Sequence, residues 1–165
     1  MPKVKIRPQK VSEAKRFYEI LNNPNFIFLK IRMKSIKDEI TFMKKNAEKR
    51  RKNFEHNYTI FFNEKIAGAI GMKINQHRPF IGEIGYFIDE KYWGKGIATL
   101  AVKKLEKIGF SKLKLKRIEI VMNIKHLASE KVAIKCGYRK EGIMKKSIET
   151  DGRLFDAYLY AKIKR

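Results

Sequence analysis

Apolar and polar residues recur along this chain with two different periods, and each period predicts its own kind of element. Alternation, or a short dense apolar run, predicts a strand, whereas apolar residues three and four apart predict a helix. Strands are predicted at residues 4–7, 58–62, 66–74, 81–88, 117–122, 142–148 and 155–163. Helices are predicted from Ser12, from Ser35, at 94–110 and at 127–135. The order β-α-α-β-β-β-α-β-α-β-β predicts a mixed α/β fold, with residues 1–165 forming a single domain.

Small and polar residues at the ends of these segments agree with the predicted boundaries. Ser12 can cap the first helix, and Ser35, with Asp38 three residues on, can cap the second. Gly137 follows the last predicted helix as a C-cap signal. Asp151-Gly152 predicts the turn of a closing hairpin between the last two strands.

Composition places the chain among globular proteins. It has 165 residues, 44% of them hydrophobic, which is enough for one substantial core. No apolar run approaches the length needed to cross a bilayer, and the first residues lack the apolar stretch of a signal peptide. The single cysteine, Cys136, cannot form an internal disulfide. We therefore expect a cytoplasmic protein in a reducing setting, with no membrane association.

The net charge of +22 is the outlying property of the composition. One interpretation is a protein that binds nucleic acid or the ribosome weakly through its basic surface. The other is a solvated surface of a lysine-rich protein, which we favour because the lysines are scattered and no aromatic residues interleave with them. The densest basic run is interpreted as a solvated helix face: Lys44, Lys45, Lys49, Arg50, Arg51 and Lys52. The sequence does not separate a monomer from a homodimer.

A glycine turn between a strand and a helix is the strongest chemical signal in the chain. The apolar strand ending at Ile88 is followed by Gly94-Lys95-Gly96, and an amphipathic helix begins there. Unpaired amides and the helix dipole make such a position an anion site, and glycine lets the backbone approach phosphate oxygens. The spacing matches neither a P-loop nor the dinucleotide fingerprint, so those two nucleotide-binding classes are excluded.

Three blocks of sequence resemble the GNAT superfamily of N-acetyltransferases, and most closely its ribosomal-protein N-terminal alanine or serine acetyltransferases. The blocks are residues 83–99, residues 128–142, and Asp151-Gly152 with Asp156 and Tyr160. The resemblance implies a central twisted mixed sheet that splays open, with helices on both faces. It also implies acetyl-CoA as the cofactor, held between the splayed strands.

The same resemblance assigns the cofactor contacts. It places the pyrophosphate on the amides of residues 93–98 and the pantetheine arm along Phe87 and Ile88. Two positions depart from the family pattern: Lys91 replaces an Arg or Gln, and His126 replaces a usual Asn. The full implied set is Phe87, Ile88, Lys91, Trp93, Gly94, Lys95, Gly96, Ile97, Ala98, Thr99, His126 and Ser129.

Acetyl transfer to an amine needs a proton acceptor for the amine and a proton donor for the leaving thiolate. Glu83 is the candidate base, because it lies on a central strand in a segment nearly free of charge. The alternatives are that Glu83 pairs with a lysine or arginine, or that water alone takes the proton. Ser129 is the candidate acid by resemblance, and the alternative is a helix serine bonded to backbone. Tyr138 and Tyr160 are alternative donors.

The acceptor is expected to be the N-terminal amine of a protein or peptide, and a ribosomal protein is the example that the resemblance implies. Phe26, His77, Phe80 and Glu83 are the predicted acceptor-site residues. An acidic channel would favour a polyamine, but the sequence shows few acids in this region. Acetylation of a polyamine or aminoglycoside stays open, as does a non-catalytic RNA-binding module. No metal is predicted, because the histidines and Cys136 lack metal-ligand spacing.

Overall fold

A computed structural model describes residues 3–29 and 32–165. Seven strands in this described part form one sheet. They are β1 (Val4–Pro8), β2 (Glu55–Phe62), β3 (Lys65–Ile74), β4 (Ile81–Ile88), β5 (Arg117–Asn123), β6 (Arg139–Thr150) and β7 (Arg153–Ile163). They are ordered β1-β2-β3-β4-β5-β7-β6 across the sheet. The predicted mixed α/β class is confirmed.

The sheet opens at its centre, between β4 and β5. These two strands are parallel and pair only at Ile81, Gly82 and Glu83 of β4, opposite residues 117–119 of β5. Every other neighbouring pair is antiparallel, and β3 pairs with β4 as far as Ile88. The β5-facing edge of β4 therefore loses its partner after Glu83, and its backbone groups from there to Ile88 face the gap.

Among the described residues, five α-helices cover the sheet: α1 (Ala14–Leu21), α2 (Ile36–Lys44), α3 (Asn46–Arg51), α4 (Ile97–Ser111) and α5 (Leu127–Lys135). The larger core lies on one face, where Ile97, Ala101 and Leu105 of α4 pack with Ile84 and Ile88 of β4. Burial of the isoleucine and leucine side chains among these stabilises the fold by about 2 kcal/mol each.

A smaller core lies on the opposite face of the sheet. There Phe17 of α1 and Met43 of α2 pack on Ala69 of β3, with Phe87 of β4 against its edge. The rings of Phe17 and Phe87 meet edge to face, with centroids 5.9 Å apart. Helices thus lie on both faces, as predicted, and β4 contributes alternate side chains to the two cores.

Three predicted boundaries were wrong in detail. Ser12 does not cap α1: it lies in a one-turn 3-10 helix, Val11–Glu13, that leads directly into α1. The side chain of Ser35 does cap α2, accepting from the Asp38 amide, but the predicted long helix breaks at Lys45 into α2 and α3. Strand β6 begins at residue 139 rather than 142 because its pairing with β7 continues past a bulge.

The basic run of residues 44–52 contacts the protein itself at several points. Lys49 lies 3.4 Å from Glu55 and over the ring of Phe42, and the Lys52 ammonium is 2.8 Å from the Glu48 carboxylate. Two lysines of the predicted solvated face are therefore paired within the protein itself. In the part of the chain that the structure describes, no helix is both long and apolar enough to span a membrane.

Candidate active site

The glycine turn adopts the backbone conformation that only glycine takes easily. Gly94 and Gly96 have φ of +74° and +73°, and a Cβ at either position would meet nothing within 4 Å. Gly96 is the N-cap of α4, and the first helical hydrogen bond runs from the Leu100 amide to its carbonyl, at 3.2 Å. The amides ahead of Leu100 have no acceptor within the helix, so they can bind an anion.

A groove of about 540 Å³ runs from this turn to the gap between β4 and β5. One wall is residues 92–99, and another is formed by residues of α5, including the ammonium-bearing Lys131 and Lys135. Positive charge, free helix amides and the open space around Gly94 and Gly96 fit the phosphates of a coenzyme A. We call this cavity the cofactor groove.

Trp93 connects the glycine turn to the strand before it. Its indole Nε1 donates to the carbonyl of Ile88 at 2.7 Å, and its ring meets Phe26 edge to face at 5.5 Å. The carbonyl of Ile88 therefore already has one donor, whereas the carbonyl of Phe87 lies against Gly68 of β3. Phe26 consequently lines the cofactor groove.

A second cavity, of about 490 Å³, lies on the α1–α2 side of β4. Its apolar wall includes Phe17, Phe42 and Met33. Three carboxylates also line it, and these are Glu39 of α2, Glu55 of β2 and Glu83 of β4; the cations that line it are Lys73 of β3 and Lys125. We call it the acceptor cleft. Its carboxylates come from three separate elements, which is why the sequence did not show an acidic cleft.

The two cavities share residues at the point where β4 and β5 diverge. Tyr86 and Phe87 of β4, His126, and Ser129 of α5 line both. The hydroxyls of Tyr86 and Ser129 lie 3.1 Å apart in hydrogen-bond contact, and Ser129 is buried. Burial raises the pKa of Tyr86 to about 12, so this phenol stays protonated at neutral pH and can donate.

His126 forms part of the same junction. Its ring stacks on Phe28 at 4.4 Å with an interplanar angle of 18°, and both residues line both cavities. His126 is the N-cap of α5 by position, but its side chain makes no capping hydrogen bond. Burial lowers the pKa of His126, so the imidazole is neutral at pH 7. The stack closes one side of the passage between groove and cleft.

A family model described as an acetyltransferase (GNAT) domain matches residues 3–139. The chain belongs to the GNAT acetyltransferase family. Its β4–β5 gap lies where the resemblance implied a sheet opening, and the binding of a cofactor at the glycine turn stays a prediction.

Named relatives in sequence and structure agree with this family. The uncharacterized N-acetyltransferase p20 of Bacillus licheniformis is 33% identical over 102 residues, which are 62% of this chain and 57% of p20. The ribosomal-protein-serine acetyltransferase of Escherichia coli is 26% identical over 143 residues, which are 87% of this chain and 76% of that protein. This chain thus spans under two thirds of the length of p20.

A solved structure shows the same architecture over nearly the whole chain. It is the microcin C7 self-immunity acetyltransferase MccE in complex with acetyl-CoA and AMP, 25% identical, with a TM-score of 0.89. The superposition covers 98% of this chain and 93% of that one. The predicted GNAT fold is confirmed.

The structure brings most of the predicted GNAT cofactor residues together. The cofactor groove is lined by Phe87, Ile88, Trp93, Gly94, Lys95, Gly96, Ile97, Ala98, Thr99, His126 and Ser129. Lys91 is the exception. Its ammonium lies 3.5 Å from Asp89 and over the ring of Tyr92, and Lys91 does not line the groove. Lys131 and Lys135 supply cations to the groove instead.

Of the four predicted acceptor residues, only Glu83 lines the acceptor cleft. Phe26 lines the cofactor groove instead, and His77 and Phe80 line neither cavity. Their loop precedes β4, at the end where β4 still pairs with β5, and the Phe80 carbonyl accepts from the Lys116 amide at 2.9 Å.

The two tyrosines proposed as alternative donors are elsewhere. Tyr138 is buried in the larger core, and the Tyr160 hydroxyl donates to Glu130 at 2.6 Å. The sequence missed two site residues, Tyr86 and Glu39. Tyr86 belongs to the block of residues 83–99 that resembles the family. Its alternation with Ile84 and Ile88 along the strand places it on their face of the sheet and could have indicated its position. Glu39 carried no such signal, because it reads as an ordinary charge in the first turn of a helix.

No cluster of three or more metal-ligating side chains occurs among residues 3–29 and 32–165.

Proposed function

We propose that this protein transfers an acetyl group from acetyl-CoA to a primary amine, by direct attack of the amine within a ternary complex. The observation that supports this most is the meeting of two cavities at Tyr86, Phe87 and Ser129. One cavity ends at an anion-binding helix terminus, and the other is lined by carboxylates. A donor and a cationic acceptor can therefore reach one point from opposite sides of β4.

The chain's own residues supply binding, orientation and proton transfer. The bound cofactor supplies a thioester, an acyl group already activated for transfer. The amides at the start of α4 and Lys95, Lys131 and Lys135 hold its phosphates. The Tyr86–Ser129 hydroxyl pair, at 3.1 Å, gives a proton to the leaving thiolate, with Tyr86 keeping Ser129 oriented. Glu83 takes a proton from the acceptor amine, directly or through water.

The acceptor that we propose is the N-terminal amine of a protein or peptide. The likeness to the Escherichia coli ribosomal-protein-serine acetyltransferase supports it. The acceptor cleft also has apolar walls for an extended chain, such as Phe17 and Phe42. A second candidate, a polyamine, gains support from the three carboxylates that the tertiary structure gathers in the same cleft.

Thiol release from acetyl-CoA tests the proposal. Purified protein is assayed against peptides with free N-termini beginning with Ser, Ala or Met, and against spermidine and spermine. The matched control peptides carry an N-terminal formyl group. Turnover with the free peptides and none with the blocked ones supports the peptide proposal, and turnover with the polyamines alone supports the second candidate. A protein that binds acetyl-CoA by calorimetry but releases thiol with neither panel is not the proposed enzyme.

The assignment of Glu83 has its own test. Glu83→Gln should lower kcat while leaving the Kd for acetyl-CoA unchanged, because Glu83 lines the acceptor cleft and not the cofactor groove. The loss should be greatest at low pH, where the amine most needs a base. A wild-type kcat across pH would remove Glu83 from the mechanism.

A further inference from the structure

Glu39 is a buried carboxylate without an assigned role. It lies in the first turn of α2, is 5% exposed and lines the acceptor cleft. Within the described residues, its Oε2 is buried and has no hydrogen-bond partner. A buried polar atom without a partner is costly, and a buried carboxylate more so than a neutral group. Such a group calls for an explanation, and a ligand that binds it is one.

Glu13 shows what a structural carboxylate looks like in this protein. It is as deeply buried, at 6% exposed, but every part of it is bonded. Arg7 donates to one oxygen, while the Lys10 amide, at 3.0 Å, and the Thr59 hydroxyl, at 2.5 Å, donate to the other. The contrast indicates that Glu39 is not placed in α2 to hold the fold together.

Among the three acids that line the acceptor cleft, Glu39 is the buried one with an unpartnered oxygen. Glu55 is 3.4 Å from the Lys49 ammonium and accepts from Asn57 at 3.1 Å. Lys73 is the cross-strand neighbour of both Glu55 and Glu83. A cation already stands between these two acids in the sheet, whereas Glu39 approaches from the helix layer. Burial raises the pKa of Glu39, as expected for a carboxylate that lacks a donor.

We propose that Glu39 binds the primary ammonium group of the acceptor, and so selects cationic acceptors for this cleft. This inference rests on the proposed acetyl transfer to an amine. An ammonium carries three hydrogen-bond donors and a full positive charge. The unpartnered carboxylate oxygen of Glu39 lacks such a donor. The N-terminus of a peptide and the end of a polyamine both carry that group. The role is one of binding and orientation, and proton transfer stays with Glu83.

The test compares Glu39→Gln and Glu39→Met with Glu13→Gln as the matched buried control. Steady-state kinetics are measured with the peptide panel and with spermidine. Both Glu39 variants should raise the KM for the acceptor at least tenfold and leave the KM for acetyl-CoA unchanged. Their thermal midpoints should equal or exceed that of wild type, because an unpaired buried charge has been removed. Glu13→Gln should lower the midpoint, because it breaks satisfied bonds.

Binding without turnover separates this inference from the proposed function. Peptide or spermidine is titrated calorimetrically into wild type and Glu39→Gln, each saturated with coenzyme A. Weaker binding to the variant in either arm supports the role of Glu39, and the responding arm identifies the amine source. Equal binding to both proteins overturns it, as does a Glu39 variant destabilised to the extent of Glu13→Gln. A wild type that binds an amine without acetylating it would defeat the proposed function while leaving Glu39 as an amine-binding residue.

Discussion

Gly96 allows stability and cofactor binding to be separated by a single change. Its φ of +73° belongs to the left-handed region, where a Cβ costs about 1–2 kcal/mol in most residues. A Cβ on Gly96 would meet nothing within 4 Å, so Gly96→Ala carries this conformational cost and no clash. For a chain of this length, that cost lowers the thermal midpoint by roughly 2–4 °C for each kcal/mol.

Gly96→Asp should be milder for folding and far more severe for binding. Aspartate visits the left-handed region more readily than alanine, and a negative charge at the start of α4 complements the helix dipole. The same carboxylate would repel phosphates held by the helix amides. Two unit charges about 4 Å apart repel by about 4 kcal/mol at an effective dielectric of about 20. Allowing for screening in a half-open groove, we expect the Kd for coenzyme A to rise at least about a hundredfold.

Gly152 provides the matched control. It has φ of +74°, an equally open Cβ position, and a place in the β6–β7 turn, outside the cofactor groove. Gly152→Ala and Gly152→Asp should lower the thermal midpoint about as much as the changes at Gly96. They should leave the Kd for coenzyme A at the wild-type value. Thermal unfolding and calorimetric titration of the four variants are the measurements. A Gly96→Asp protein that binds coenzyme A within threefold of wild type would refute the placement of the phosphates on this turn.

Three smaller predictions concern the junction and the sheet. Tyr86→Phe should lower kcat by about 10²-fold with little change in the acetyl-CoA KM, and adding Ser129→Ala should cost much less than a further 10²-fold, because the two hydroxyls act as a unit. The folded-state pKa of His126 lies below its unfolded value, so its contribution to stability is present at pH 7 and is lost as pH falls from about 6.5. His126→Phe should flatten this part of the curve of unfolding free energy against pH, measured by urea unfolding. The Arg117 guanidinium donates to both carboxylate oxygens of Glu141, at 2.8 and 2.5 Å, and lowers the pKa of Glu141. The pair therefore stabilises the fold above pH about 4.3, and this stabilisation is lost as pH falls through the lower, folded-state pKa. Arg117→Met should cost about 1 kcal/mol at pH 7 and nothing near pH 2 by the same urea assay, and an equal cost at both values would contradict the pairing.

The cofactor half of the site could be predicted because its evidence is local in sequence. The strand ending at Ile88, the glycines of the turn and the helix that follows occupy one continuous stretch, and backbone groups do most of the binding. Ser129 came from a second local block, and Tyr86 was inside the recognised stretch although its role was not seen. Lys91 was misplaced because the pattern gives a residue type but not the direction of a long side chain, which here turns toward Asp89.

The acceptor half could not be predicted, because its residues come from distant elements. Glu39, Glu55 and Glu83 are far apart along the chain and meet only when α2 packs across β3 and β4. Phe80 and His77 are close to Glu83 in sequence, yet they precede β4, before the segment in which β4 pairs with β5, and line neither cavity. Proximity in sequence was therefore a poor guide to proximity in the cleft.

By itself the sequence determined the order of elements, the mixed α/β class and an anion-binding turn, since these depend on periodicity, glycine and neighbours within a few residues. The tertiary structure decided where β4 and β5 separate, which side chains meet at Tyr86 and Ser129, and that a carboxylate on α2 stays unpaired in the acceptor cleft. These features depend on how strands pair and helices pack across the whole chain. No local pattern encodes the distance between side chains that belong to separate elements.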